Sequence, residues 1–391
     1  MKASYIIKHG RVVDPARGVD EIRDVYIDNA WMAEPAPGQA IECEPAHVID
    51  ASGCIVTPGL VDYHVHCFHG GSGTTVWPDT MLSTGVTCAA DAGTAGASTY
   101  ESYFRNEVSH SLVRLKGYLT PYAGGQLDAG LNENFDPASW NYPHIERLVD
   151  ACRDNIVALK IRLQRGVVPD EHAREYLQGM IELSERLDRR LGIRLPVVVH
   201  TTDCPLGAGD LSNMLRPGDV FTHCYQGRSN NMILENGRID PGVIHGRERG
   251  VIYDACRGKN NFSLSVCRSA FAQGFYPDVI ATDITIDKFN IAPWTKNLPA
   301  VASMFLSLGM DFTEVIRAIT ATPARLLGVE GRVGTLAPGA YADIAIFKYT
   351  QDIPVHHMDA AGKEFVGNDL LVPQMTFLGG DPVYSYTGFN I

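Results

Sequence analysis

Six side chains spread along the chain have types and positions that could do chemistry together: His64, His66, Lys160, His200, His223 and Asp283. Imidazole nitrogens and carboxylate oxygens ligate divalent ions, and a lysine can join them only once its charge is removed. Each sits at or near the end of an apolar run: GLVDYHVH (59–66), IVALKIR (156–162), PVVVHT (196–201), DVFTHC (219–224) and DVIATDI (278–284). On a strand, residues two apart point to the same side, so His64 and His66 project together. Taken singly, each has an ordinary reading. A lysine after an apolar triplet snorkels to the surface, a histidine is hydrogen-bonded in a core, an aspartate caps a turn. Together, at the ends of separate strands, they point to a metal site. Four imidazoles and one carboxylate, with no thiolate, suit Zn²⁺ first and tolerate Mn²⁺, Fe²⁺ or Co²⁺. Lys160, buried beside two dications, would lose its proton and could add CO₂. The resulting carbamate offers two oxygens that can bridge two metals.

Such convergence needs a fold that gathers strand ends at one rim. Besides the runs above, LVRLKGYLT (112–120), TCAADAG (87–93) and GVIYDA (250–255) read as buried strands, which makes eight. Helical stretches separate most of them, the clearest from about 170 to 191, amphipathic with a polar face. Eight strands alternating with helices suit a closed (β/α)₈ TIM-type barrel over 58–329, whose active site gathers at the C-terminal strand ends. A doubly wound open sheet is the alternative. The segments 1–57 and 330–391 carry short strand-like runs between Gly, Pro and Asp turns, and neither half can bury its own faces. They are expected to pair with each other as one small β-sandwich.

Composition narrows the function. The 391 residues carry 33 Lys+Arg against 45 Asp+Glu, a net charge of −12. That surplus argues against nucleic acid and against an acidic membrane surface as partners. The opening thirty residues hold charges throughout, with no apolar signal region, and no run approaches a membrane span. Nine scattered cysteines without a C-x-x-C pair exclude a disulfide framework and fit a cytoplasmic protein.

The stretches TPGLVDYHVH, STGVTCAADAGTAGA, ALKIR, PVVVHTTD, GDVFTHCYQGRSNN, the NFS of GKNNFSLSV, ATDI, FTEVIRAITATPARLLG and GTLAPGAYADIAIF cover essentially the whole chain. In them it resembles the amidohydrolase superfamily, binuclear-metal subtype. More narrowly it is similar to the amidohydrolase/deacetylase group of dihydroorotase-like metallohydrolases. The resemblance implies that His64, His66 and Asp283 hold the more buried metal, and that carboxylated Lys160 bridges to a second held by His200 and His223. It implies a hydroxide between the metals as nucleophile, Asp283 as the group that takes its proton and passes it to the leaving group, and assembly as a homo-oligomer.

Around this core the residues suggest substrate contacts. Arg162 lies two positions after Lys160, on the same side of the strand; it could steady a carbamate, bind a substrate carboxylate, or simply pair with Asp91 or another acid. Asp62 precedes His64 by two and is placed to support it. Asn230, Asn231, and the backbone around Thr94 and Gly96 are further candidates, since Gly-rich turns permit close approach. Tyr225 and Tyr253 read as wall residues, and His69 as a loop histidine. One departure stands out. Where the group reads D-x-G-H-G, this chain has Asp254-Ala255-Cys256-Arg257-Gly258. An arginine there favours a carboxylate-bearing small molecule. The expected activity is metal-dependent hydrolysis of an acyl amide or ester bond, a deacetylase-type reaction. Cyclic-amide hydrolysis of the dihydroorotase or hydantoinase type is the alternative, then deamination of a heterocycle. A catalytically silent scaffold is disfavoured because all six positions are occupied.

Overall fold

The computed structural model describes residues 1–126, 133–291 and 297–389. Seven parallel strands follow one another around a curled sheet: β1 (Leu60–Val65), β2 (Val86–Asp91), β3 (Arg114–Leu119), β4 (Ile156–Arg162), β5 (Val197–His200), β6 (Val220–Thr222) and β7 (Ile252–Asp254). They are apolar almost throughout because both faces are covered, one by helices and one by the barrel interior. Alternate residues divide between the two. Ala158, Val198 and Val220 join Val61 and Tyr63 in a cluster that fills the barrel, while Leu159, Val197, Val199 and Phe221 pack outward with the helices.

The eighth expected strand, 278–284, forms no continuous ladder. It closes the gap between β7 and β1 by two isolated parallel bridges, Asp254 with Val279 and Val65 with Ile284. The reason is local. The Thr282 backbone N–H and hydroxyl go to the Asp62 carboxylate, at 3.2 and 2.6 Å. Asp283 then turns into the left-handed region at φ 51°, so the extended run ends there. The result is a nearly closed, distorted (β/α) barrel. The expected helix near 170–191 is a short 3₁₀ turn followed by α1 (Ala173–Leu191), which buries Leu177, Met180, Leu183 and Leu187 and stops at Gly192, φ 66°. Among the described residues no helix is long and apolar enough to cross a membrane, and all nine cysteines are free.

Both chain ends build the remaining sheets. Ile344–Thr350 runs antiparallel to Cys54–Pro58, with Ile346 opposite Val56, inside a six-stranded mixed sheet that also takes Arg11–Asp14 and Leu370–Leu378. A four-stranded sheet of N-terminal strands packs on it through Ile7, Val25, Ile27 and Met32 against Ile344, Ile346 and Phe377. An ion pair with a buried carboxylate and a half-buried arginine ties this unit to the barrel. Arg114 of β3 donates to both oxygens of Asp343 at 2.9 and 3.2 Å and lies over the Tyr341 ring. The Asp343 side chain is 1% exposed, and its other bond comes from the Gly379 N–H. Arg114→Met would leave that carboxylate buried and under-satisfied, so a loss of about 3 kcal/mol is expected. Urea unfolding checks this, and a change below about 1 kcal/mol would show that the pair does not fasten the two units.

Candidate metal centre

Two kinds of backbone deliver the side chains. On β4 and β5 the period of two does it: Ala158 and Val198 face the barrel interior, so Lys160 and His200 emerge on that same side at the strand ends. His223 and Asp283 instead follow their strands with φ of 61° and 51°. Non-glycine residues rarely adopt that region, and its cost is tolerated where the surroundings fix it. The Gly93 backbone, φ 87°, passes so close that an added Cβ would stand 2.7 Å from that of Lys160.

The six residues converge. His66 Nε2 lies 3.2 Å from Asp283 Oδ1, and His64 Nε2 lies 3.7 Å from the same oxygen and 3.4 Å from Lys160 Nζ. His223 Nε2 lies 3.1 Å from His200 Nδ1. The outer ring nitrogens explain which atoms face inward. His66 Nδ1 bonds the Thr94 hydroxyl at 2.7 Å, and His223 Nδ1 donates to the Cys256 carbonyl at 2.8 Å. Each bond orients its ring with Nε2 toward the centre, and for His223, whose Nδ1 must donate to a carbonyl, it leaves Nε2 as an acceptor. His64 Nδ1 faces the buried Asp254 carboxylate at 3.7 Å, and neither atom has a hydrogen bond.

Electrostatics fit the same picture. Burial holds His64 and His200 well below the usual imidazole range and His223 at about 4, so lone pairs are available. Burial also lowers Lys160 to about 8. Burial would raise Asp283, but its bond to His66 and the neighbouring His64 and His223 outweigh that and keep it ionised. Two clusters have ligand atoms mutually within 4.8 Å: His64, His66 and Asp283, and His64, His223 and Cys256. Buried nitrogen and oxygen ligand atoms gathered this closely fit a pair of divalent ions. Cys256, fully buried after β7, was not foreseen; only its place in the departing Asp254–Gly258 run marked it.

The site opens into a cavity of about 390 Å³. Arg162 and Thr94 line it, with Thr94 also holding His66. Arg162 pairs with buried Glu133 and not with Asp91, whose oxygens accept backbone N–H groups of Cys67, Phe68 and Thr94. Other expected contacts stand elsewhere. Gly96 packs against Tyr122 and Gly125, Asn230 donates to the Cys204 and Pro205 carbonyls, and Asn231 to that of Arg228. Arg257 lines a separate cavity beside Met304 and Leu371 and donates to the Met358 carbonyl, because burial behind the Asp254–Gly258 turn points it away from the metal side. Tyr225 and Tyr253 are buried wall residues, and His69 stacks on Trp77.

The sequence reading missed Asn261. Its amide donates to Asp283 Oδ2 at 2.7 Å while its carbonyl accepts from Thr202 at 3.0 Å. Gly258 makes room for this: a Cβ there would stand 2.1 Å from Asp283 Oδ2 and 2.8 Å from Asn261 Nδ2. Gly258→Ala should therefore shift the carboxylate and lower turnover by about 100-fold without altering the circular dichroism spectrum. Unchanged kinetics would mean that the turn yields instead of the carboxylate.

The comparisons agree with this geometry. The Amidohydrolase family model matches residues 267–383. A deacetylase of Brucella anthropi is 29% identical over 351 residues, covering 87% of this chain and 83% of that protein. Among solved structures, one described as an adenine deaminase superposes with a TM-score of 0.86 at 24% identity, covering 98% of this chain and all of the other, and shows the fold alone. One described as a dihydroorotase gives 0.80 at 25% identity, covering 98% of each. The chain is thus similar to the amidohydrolase superfamily, with a binuclear-metal-type site like those of its dihydroorotase, deaminase and deacetylase relatives. It is a metal-dependent hydrolase acting on a small molecule.

Proposed function

We propose that the protein hydrolyses an amide C–N bond in a small polar molecule, with His64, His66 and Asp283 holding one divalent ion and His200 and His223 the other. Zinc suits these donors first. The neutral Lys160 amine would attack CO₂, forming an N–C bond and releasing its proton to solvent, and the carbamate's two oxygens would complete the donor set. Bound there, two divalent ions make water acidic enough to act as a nucleophile near neutral pH and polarise a carbonyl. The chain does the rest. Asp283 takes the proton of the attacking water and delivers it to the leaving nitrogen. Asn261 fixes the Asp283 carboxylate, and Arg162, itself anchored by Glu133, helps to orient the bound molecule.

The observation that carries this reading is the convergence of all six side chains at one end of the barrel. The cavity wall favours a cyclic amide as substrate: Gln126, Gln164, Asn260 and Asn261 offer paired donors and acceptors, and among the described residues no Ala, Val, Leu, Ile, Met, Phe, Tyr or Trp side chain lines it. The dihydroorotase likeness supports ring opening too. The name of the Brucella anthropi relative favours a second reading, removal of an acyl group from an amide or ester. Zinc- or manganese-loaded protein should be offered cyclic ureides and imides, N-acetyl amino acids, O-acetyl hydroxy acids and aminated heterocycles. Ring opening supports the first reading, acid release the second, and ammonia release would point to deamination. No turnover with metal bound would overturn both.

A further inference from the structure

Three arginines lie in or near the site, and their partners separate them. Arg162 is neutralised by Glu133, and Arg257 faces another cavity. Arg228, on the loop after His223, lines the metal cavity with its side chain in no ion pair or hydrogen bond among the described residues. The acid that feels its charge is engaged elsewhere: Asp203 Oδ1 accepts from Ser229 at 2.6 Å and from Arg165 at 3.3 Å.

The loop holding Arg228 is fixed on every side. Gln226, 2% exposed, accepts from the Arg228 N–H at 2.7 Å and donates to the Ser229 carbonyl at 3.2 Å. Asn231 donates to the Arg228 carbonyl at 3.2 Å, and Asn230 reaches back to Cys204 at 2.9 Å. So the side chains of Gln226, Ser229, Asn230 and Asn231 are all spent on holding the loop, and the one left over is a guanidinium facing the cavity. Asp203 feels the Arg228 charge through space but spends its hydrogen bonds on Ser229 and Arg165, so the Arg228 guanidinium keeps its donors for an anion from outside, and a guanidinium matches a carboxylate with two parallel bonds.

We infer that Arg228 is the residue that binds a carboxylate on the substrate and selects for it. This rests on the proposed hydrolytic reading, and the experiment keeps the two apart. Wild type, Arg228→Met and Arg228→Lys are assayed on matched substrates, one a carboxylate and the other its carboxamide. Arg228→Met should raise KM for the acid about 10- to 100-fold, with kcat within about threefold and the carboxamide unaffected. Arg228→Lys should recover part of the loss. In parallel, calorimetry with succinate and benzoate on metal-loaded protein should show binding to wild type that weakens at least about tenfold in Arg228→Met. Equal acid preference or equal binding in wild type and Arg228→Met would overturn the inference. Absence of hydrolysis by wild type with carboxylate binding still dependent on Arg228 would sink the hydrolytic reading and leave this one standing.

Discussion

Asp283→Asn is expected to lower kcat/KM by about 10³-fold or more while the protein stays folded. The substitution keeps the shape of the side chain and removes its charge and its basicity. A positioned general base alone contributes about 10²–10⁴. The amide would also meet its neighbours badly. Asp283 Oδ2 accepts from the Asn261 NH₂, and Oδ1 faces His66 and His64. One amide end is an acceptor and the other a donor. If the donor faces Asn261, two NH₂ groups collide; if it faces His66, a proton occupies the space meant for an ion. Metal content by mass spectrometry and steady-state kinetics on the same sample separate the two losses. Near wild-type turnover in the variant, with metal bound, would remove Asp283 from proton transfer.

The site was legible in the chain where backbone geometry is regular. IVALKIR is a strand over the expected residues, and its period of two puts Lys160 above Ala158 inside the barrel. The same holds for His200 above Val198. What escaped has physical causes. The left-handed turns at His223 and Asp283 leave no trace in residue type, since non-glycine residues fill them only under tertiary constraint. Because Asp62 takes the Thr282 backbone N–H, an apolar run that reads as the eighth strand is only two bridges in space. Partners distant in sequence were equally hidden. Nothing near Arg162 announces Glu133, and nothing in Asp254–Gly258 says that Cys256 would turn toward His64 and His223 while Arg257 turned away. Asn230 and Asn231 were visible as polar loop residues, but their role is to hold the loop, a distinction that only hydrogen bonds reveal.

Stripping the metals should destabilise the fold markedly, because the centre gathers buried ligand atoms that a bound ion holds together. His64 and His66 approach Asp283 at 3.7 and 3.2 Å, and His223 approaches His200 at 3.1 Å. Only ions bound to the folded state offset that crowding. At a free ion concentration of about 1,000 Kd, each site adds about 4 kcal/mol to stability. Unfolding entropy is about 2.1 cal/mol/K per residue, which for 391 residues makes two filled sites worth roughly 10 °C in Tm. Dialysis against dipicolinate followed by calorimetry should show that drop, and zinc or manganese should reverse it. The pH dependence has a defined sign. Burial holds the folded His223 at about 4, below its ordinary value, so protons compete with the ion only as pH approaches that value. The metal-dependent part of Tm should therefore persist through pH 6.5, where free histidine titrates, and fade between about 5 and 4. A chelated protein melting with the loaded one at pH 7 would mean that these side chains hold no ion that matters to the fold.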